Sequence, residues 1–148
     1  MKKLLTIAFL CVIGFAAKAQ TSLQVNNNTN CDVFFTINGA PIGCSITTSS
    51  VLISLTAFGT VSYSSSTAVP GFPAAPMPLL AAKVFTSSSS CTVFPTSQII
   101  GQPCTGYPLS VSYFILTNPG CSLCRTTPIV ATWTPPVPPS TMATLTFN

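Results

Sequence analysis

The cysteines have the clearest chemical potential in this sequence, above all the motif Cys121-Ser122-Leu123-Cys124. A C-x-x-C pair does redox chemistry when it follows a strand and opens a helix. Here the turn sequence Asn118-Pro119-Gly120 precedes the motif and Arg125-Thr126-Thr127-Pro128 follows it, which argues against such a helix. A zinc site would need two more thiolates or imidazoles nearby. The motif therefore predicts structural disulfide chemistry, with redox activity and metal binding as the alternatives.

The other titratable residues exclude most catalytic classes. The chain has no histidine, and Asp32 is its one acidic residue. General acid–base catalysis usually needs a histidine or a pair of carboxylates, so paired-carboxylate hydrolysis and a Ser-His-Asp triad are both excluded. Lys83 could serve a Ser–Lys dyad, but an exposed lysine at a strand end is the plainer interpretation. We predict that the protein is not an enzyme, uses no cofactor or metal, and employs Asp32 in a turn or strand-end hydrogen bond.

The N-terminus has the three parts of an export signal. Lys2 and Lys3 form a basic start, Leu4 to Ala17 is apolar, and Ala17-Lys18-Ala19 is a small-x-small cleavage site. The apolar run is shorter than the roughly 20 residues of a membrane span, which disfavours the alternative of an N-terminal anchor. We predict a signal peptide over 1–19, one β domain over 20–148 and no membrane span after cleavage. The protein is then exported to the periplasm, the cell surface or the medium.

The remaining chain is almost without charge. Charged residues make up 4% of the sequence, against about a quarter in an average protein. After residue 19 only Asp32, Lys83 and Arg125 are charged. No basic patch exists, so we expect neither nucleic acid nor an anionic membrane as a partner. Near-zero net charge also removes the repulsion that keeps molecules apart, and self-association is one expected consequence.

An even number of cysteines in an exported chain predicts a disulfide framework. Cys11 lies in the leader, and the remaining six are Cys31, Cys44, Cys91, Cys104, Cys121 and Cys124. Cys31 to Cys44 and Cys91 to Cys104 have equal spacing, and both segments fit C-x-V-F-x-T-x7-C. This similarity predicts an internal duplication with half-repeats 22–85 and 86–148. Local disulfides Cys31–Cys44, Cys91–Cys104 and Cys121–Cys124 would follow.

The residue pattern is typical of β-structure throughout. Ser, Thr, Val, Ile and Phe dominate, and short runs end at turn residues. We predict about eight short strands, near 23–26, 33–37, 51–55, 60–64, 83–86, 109–116, 129–133 and 143–147. Asn38-Gly39 is the strongest hairpin signal and predicts a tight turn inside the first cysteine pair. The proline-rich segments 69–78 and 135–139 are expected to be loops. The expected fold is all-β: an antiparallel sandwich or small barrel, stabilised by disulfides.

Several motifs resemble those of small, exported, uncharacterised β-proteins of Gram-negative bacteria. They are Val25-Asn26-Asn27-Asn28-Thr29-Asn30-Cys31, Cys104-Thr105-Gly106-Tyr107-Pro108, Cys121-x-x-Cys124, Ala131-Thr132-Trp133-Thr134-Pro135 and Leu145-Thr146-Phe147. The resemblance covers most of the chain after the leader. It implies a disulfide-containing β fold and no particular activity.

Three functional hypotheses fit this inventory. The first is a secreted or cell-surface binding module without catalysis, in which Phe72, Tyr107 or Trp133 stacks on a glycan or another ligand; packing is the alternative role of all three rings. The second is a structural subunit of an extracellular or envelope assembly, with an envelope protein as partner. The third is an ice-binding surface, for which Thr132-x-Thr134 and Thr144-x-Thr146 are the only short patterns and no regular repeat exists.

Export predicts a defined new N-terminus. Cleavage after Ala19 leaves Gln20 first, and this residue can cyclise to pyroglutamate. We expect the intact mass of the native protein to match a chain that begins at Gln20. A native mass that includes residues 1–19 would contradict the prediction.

Overall fold

The computed structural model describes residues 22–88, 97–117 and 120–148. Within these ranges the chain forms ten strands, two single-turn 3-10 helices at Ser66–Ala68 and Pro103–Thr105, and no α-helix. The strands are β1 (Ser22–Asn27), β2 (Val33–Gly39), β3 (Thr48–Ser49), β4 (Ile53–Leu55), β5 (Thr60–Tyr63), β6 (Leu79–Phe85), β7 (Ser97–Gly101), β8 (Ser110–Tyr113), β9 (Ile129–Thr134) and β10 (Met142–Phe147).

The strands form two sheets of five. Sheet A has the order β5-β1-β10-β9-β8, and sheet B has the order β3-β2-β6-β7, with β4 also paired to β2. The all-β, sandwich-like prediction is confirmed, whereas the described strands do not close into a barrel. Ten strands replace the predicted eight, because β3 and β7 were missed. β3 has only two residues and β7 shows no apolar alternation, so neither carries the usual strand signal.

One strand pair departs from the antiparallel expectation. β1 and β10 pair in parallel from Ser22↔Met142 to Asn27↔Phe147. β10 also pairs antiparallel with β9, so it occupies the centre of sheet A. The first and last described strands therefore lie side by side, so sheet A is completed by the C-terminal strand.

A single apolar core lies between the two sheets. Along β1, β9 and β10 buried and more exposed residues alternate strictly, as expected for strands with one face against a core. Phe35 of sheet B packs against Phe147 of sheet A, with ring centroids 5.7 Å apart and ring planes tilted by 37°. Both rings are fully buried. This contact joins the middle of one sheet to the middle of the other.

The sandwich has two ends with different loops. At the upper end lie the loops 40–47, 64–78, 102–109 and 135–141; at the lower end lie the loops 28–32 and 56–59 and the described segments 114–117 and 120–128. Both proline-rich segments are in upper loops, as predicted. Asn38 and Gly39 are not a turn but the last two residues of β2, so that prediction was wrong. A Cβ on Gly39 would lie 2.5 Å from the Pro78 carbonyl oxygen, so this glycine permits a close backbone approach.

The disulfides connect distant parts of the chain instead of neighbouring cysteines. Cys44 bonds to Cys104 at the upper end, and Cys31 bonds to Cys124 at the lower end. The predicted pairs Cys31–Cys44 and Cys91–Cys104 are therefore wrong. The seven-residue strand β2 separates Cys31 from Cys44 and spans about 20 Å, whereas bonded cysteines have Cα atoms within about 7 Å.

The C-x-x-C motif is split between two disulfides. Cys124 bonds to Cys31, and Cys121 is also disulfide-bonded, so the predicted Cys121–Cys124 pair is wrong. The N–H of Cys124 donates to the Ile115 carbonyl (2.9 Å), which places Cys124 in a hairpin arm beside the start of β2. Cys91 lies outside the described residues. Both assigned disulfides run between the proposed half-repeats, and the duplication itself stays a prediction.

This connectivity predicts the outcome of a tryptic digest. Lys83 and Arg125 are the only tryptic sites after residue 20, so trypsin yields a fragment that ends at Lys83 and the fragments 84–125 and 126–148. Cys31 and Cys44 lie on the first fragment and their partners on the second. We expect the first two fragments to remain covalently joined in a non-reducing digest of the denatured protein and to separate on reduction. Separate fragments without reduction would restore the local pairing.

Candidate functional site

The structure places two of the three predicted binding residues in upper loops. Tyr107 follows the left-handed residue Gly106 (φ 77°) and is 37% exposed. Phe72 is half-buried and packs against the core. Their loops share one end of sheet B, since Ala81 of β6 pairs with Gly101 of β7. The described residues show no ring contact between Phe72 and Tyr107, so no aromatic platform forms there.

Trp133 belongs to the core. It is 1% exposed, lies on the inward face of β9 and pairs in register with Leu145. Its indole N–H has no hydrogen-bond partner among the described residues. Packing, one of the two roles considered for this ring, is therefore the role that the structure shows.

The outward face of sheet A is the most distinctive surface of the molecule. All its side chains are uncharged, and all are Ser, Thr, Asn or Gln except Val130 and Met142 at its margins. We call this surface the hydroxyl face. Its residues are Ser22, Gln24 and Asn26 of β1; Thr60 and Ser62 of β5; Ser110 and Ser112 of β8; Val130, Thr132 and Thr134 of β9; and Met142, Thr144 and Thr146 of β10.

Strand register arranges this face in rows. One row crosses all five strands, because each residue is the register partner of the next: Thr60, Asn26, Thr146, Thr132 and Ser110. A second row crosses four strands: Ser62, Gln24, Thr144 and Thr134. With neighbouring strands about 4.8 Å apart, the first row is about 19 Å wide.

Hydrogen bonds order the margins of the hydroxyl face. Thr60 Oγ1 donates to Asn26 Oδ1 (3.3 Å), and Gln24 Nε2 donates to the same oxygen (3.1 Å). On the other side, the Ser110 and Thr132 hydroxyls lie 3.2 Å apart. These contacts restrict the side chains before any ligand arrives.

The three charged side chains of residues 22–148 lie away from this face. Lys83 is on the outward face of sheet B, with its Nζ 5.3 Å from the centre of the Phe85 ring. It lies within β6, not at a strand end. At the lower end, Asp32 accepts a hydrogen bond from the Ala57 N–H (3.0 Å), as the sequence predicted, and Arg125 donates to the Thr127 hydroxyl (2.7 Å). Asp32 and Arg125 thus make local structural contacts.

A cavity of about 400 Å³ lies between the edge strands β7 and β8. Apolar side chains of Phe114, Leu116 and Leu123 line it, and Gln98 donates a hydrogen bond across it to the Ser112 carbonyl (3.4 Å). Tyr113 forms its inner wall and is 4% exposed. Burial raises the pKa of its hydroxyl, which has no hydrogen-bond partner in the part of the chain that the structure describes.

The sequence contained part of the signal for the hydroxyl face. The pairs Thr132-x-Thr134 and Thr144-x-Thr146 are visible in it, but their alignment on adjacent strands depends on register. Asn26 and Thr60 carry no such pattern, because they join the row only through the parallel pairing of β1 and β10 and the antiparallel pairing of β1 and β5. A search for periodic repeats therefore misses this surface.

Comparisons with known proteins leave the site to be interpreted from its own geometry. No family model matches the chain, and no curated protein or solved structure is significantly similar to it. In the described ranges, no group of His, Cys, Asp and Glu side chains could hold a metal ion. No helix among these residues is long and apolar enough to cross a membrane.

The raised pKa of Tyr113 predicts that the protein loses stability at alkaline pH. Its folded-state pKa is raised, so above about pH 10 the unfolded chain releases a proton that the folded chain keeps. The free energy of unfolding should be nearly constant from pH 5 to 8, where no side chain of ordinary pKa titrates, and should fall above pH 10. Tyr113→Phe should reduce this fall and, by removing an unpaired hydroxyl, stabilise the protein by about 1 kcal/mol at neutral pH.

Urea unfolding at several pH values measures both effects. Tyr63→Phe is the matched control, because burial raises the pKa of Tyr63 less. A Tyr113→Phe variant that is less stable at neutral pH would show that the hydroxyl has a partner, and the prediction would fail.

Proposed function

We propose that the protein is an exported, non-catalytic binding module that contacts its ligand through the hydroxyl face. One observation carries the proposal: the outward side chains of all five strands of sheet A form an uncharged surface in aligned rows. Exposed protein surfaces ordinarily mix charges of both signs. A face built without them suits a ligand that is itself neutral.

The energetics of such a face favour an extended ligand. Hydroxyl and amide groups lose little on leaving water when the ligand returns their hydrogen bonds, whereas a buried charge would need a counter-charge. A single hydrogen bond contributes only about 1 kcal/mol net, so affinity must come from many contacts made together. The chemistry that matches is a broad, neutral, hydrogen-bonding surface, such as a polysaccharide or ordered water.

Export and the lack of catalysis are supported separately. The two disulfides fit an oxidising compartment. The sequence has no histidine and one acidic residue, and this residue accepts a backbone hydrogen bond at the lower end. Tyr107, exposed in its upper loop, is a secondary contact point for a sugar ring.

A lysine in the middle of the hydroxyl face tests the proposal. Thr146→Lys places a charge on the central strand of sheet A. Thr36→Lys is the matched control, because Thr36 is a half-exposed threonine on the outward face of β2. We measure retention of the mature protein on cellulose, chitin and growing ice. We expect retention on at least one surface, weakened by about tenfold or more (about 1.4 kcal/mol) in Thr146→Lys only.

Two outcomes would contradict the proposal. The first is no retention on any of the three surfaces; the second is equal loss in both variants. Sedimentation of the same proteins distinguishes the binding module from the alternative function, a structural subunit of an assembly. Concentration-dependent assembly that Thr146→Lys abolishes would make the hydroxyl face a contact between copies of the chain.

A further inference from the structure

We infer that the ligand of the hydroxyl face is ordered water at the surface of ice, an inference that rests on the proposed function. Four threonines on the adjacent interior strands β9 and β10 carry it. Thr134 is the register partner of Thr144, and Thr132 is the register partner of Thr146. They form a two-by-two array on the central strand β10 and its neighbour β9.

The spacing of this array suits a water lattice. Alternate residues of a strand are about 6.7 Å apart, and neighbouring strands are about 4.8 Å apart. Oxygen atoms in the flat planes of hexagonal ice repeat at comparable distances. Asn26 and Ser110 extend one row on either side of the array. Sheet twist grows with each added strand, so the match is best over two adjacent strands, as in this array.

The hydroxyls of the array are available to water. In the described part of the chain, the side chains of Thr134, Thr144 and Thr146 make no hydrogen bond to the protein, and Thr132 shares one with Ser110. Threonine is stiff at χ1 because its Cβ is branched. The hydroxyls and methyl groups therefore hold their positions before water is ordered on them, and the entropy lost on binding is small.

The hydroxyl face has neither charged nor aromatic side chains, and both features favour ice over a sugar polymer as its ligand. An ion organises water radially, which disrupts a lattice, and Asp32, Lys83 and Arg125 all lie elsewhere. Sugar recognition by a flat protein face commonly uses aromatic rings that stack on the pyranose plane. The hydroxyl face has no aromatic side chain.

Thermal hysteresis tests this inference directly. The mature wild-type protein should lower the freezing point below the melting point and shape a single ice crystal. Thr132→Tyr and Thr146→Tyr put a large ring into the array and should abolish both effects. Thr36→Tyr adds the same ring to the central region of sheet B and should leave both unchanged. Matching melting temperatures and far-UV spectra confirm that each variant is folded.

Each remaining outcome decides between the two proposals. If the wild type shows no hysteresis or crystal shaping but is retained on cellulose or chitin through Thr146, the ice inference is overturned and the binding module stands. If it is retained on no surface, both fail. If Thr36→Tyr abolishes hysteresis as fully as Thr146→Tyr, ice binding does not occur through the hydroxyl face and the inference is again overturned.

Discussion

The register of β10 between β1 and β9 is the constraint on which both the core and the hydroxyl face depend. Leu145 lies beside Val25 and Trp133 on the inward side, and Thr146 is the next residue on the outward side. A slip of one residue would turn every side chain of β10 to the opposite face. Leu145 and Phe147 are fully buried, so exposing both would cost roughly 3–6 kcal/mol before any threonine was buried. Core packing thereby fixes the positions of the outward threonines.

The disulfides link the chain at the two ends of the sandwich, and Cys31 of the lower one is itself part of the core. Cys44–Cys104 and Cys31–Cys124 close segments of 60 and 93 residues. In the chain-entropy account each contributes about 4 kcal/mol by restricting the unfolded state. With so few charged side chains, ion pairs can add little to stability. Apolar burial and covalent links thus provide the stability, and the surface of sheet A can do without charge.

The fold class could be predicted from the sequence, whereas the long-range pairings could not. Alternation along β1, β9 and β10 is local information, and the predicted strands 23–26, 129–133 and 143–147 fall inside the observed ones. Which cysteines can bond depends on the length of β2, because this strand separates Cys31 from Cys44. Asn38-Gly39 is a common turn sequence, but here both residues pair with β3 and β6 and continue the strand. The local disulfides were inferred from the equal spacing and the apparent duplication, and they failed because β2 runs through the segment between Cys31 and Cys44.

The same limit applies to the candidate site. Each Thr-x-Thr pair is local, but the array needs β9 and β10 in register, and the full row needs β1 from the other end of the sequence.

Near-zero charge also makes a flat face prone to adhere to copies of itself. Hydroxyl groups oppose this, because they are well hydrated and gain little from a second hydroxyl face in place of water. The edge strands β5 and β8 have only four residues each, which limits growth of the sheet by edge pairing. A surface of this kind binds firmly only where a ligand satisfies many hydroxyls at once, and this requirement selects extended, ordered ligands over small ones.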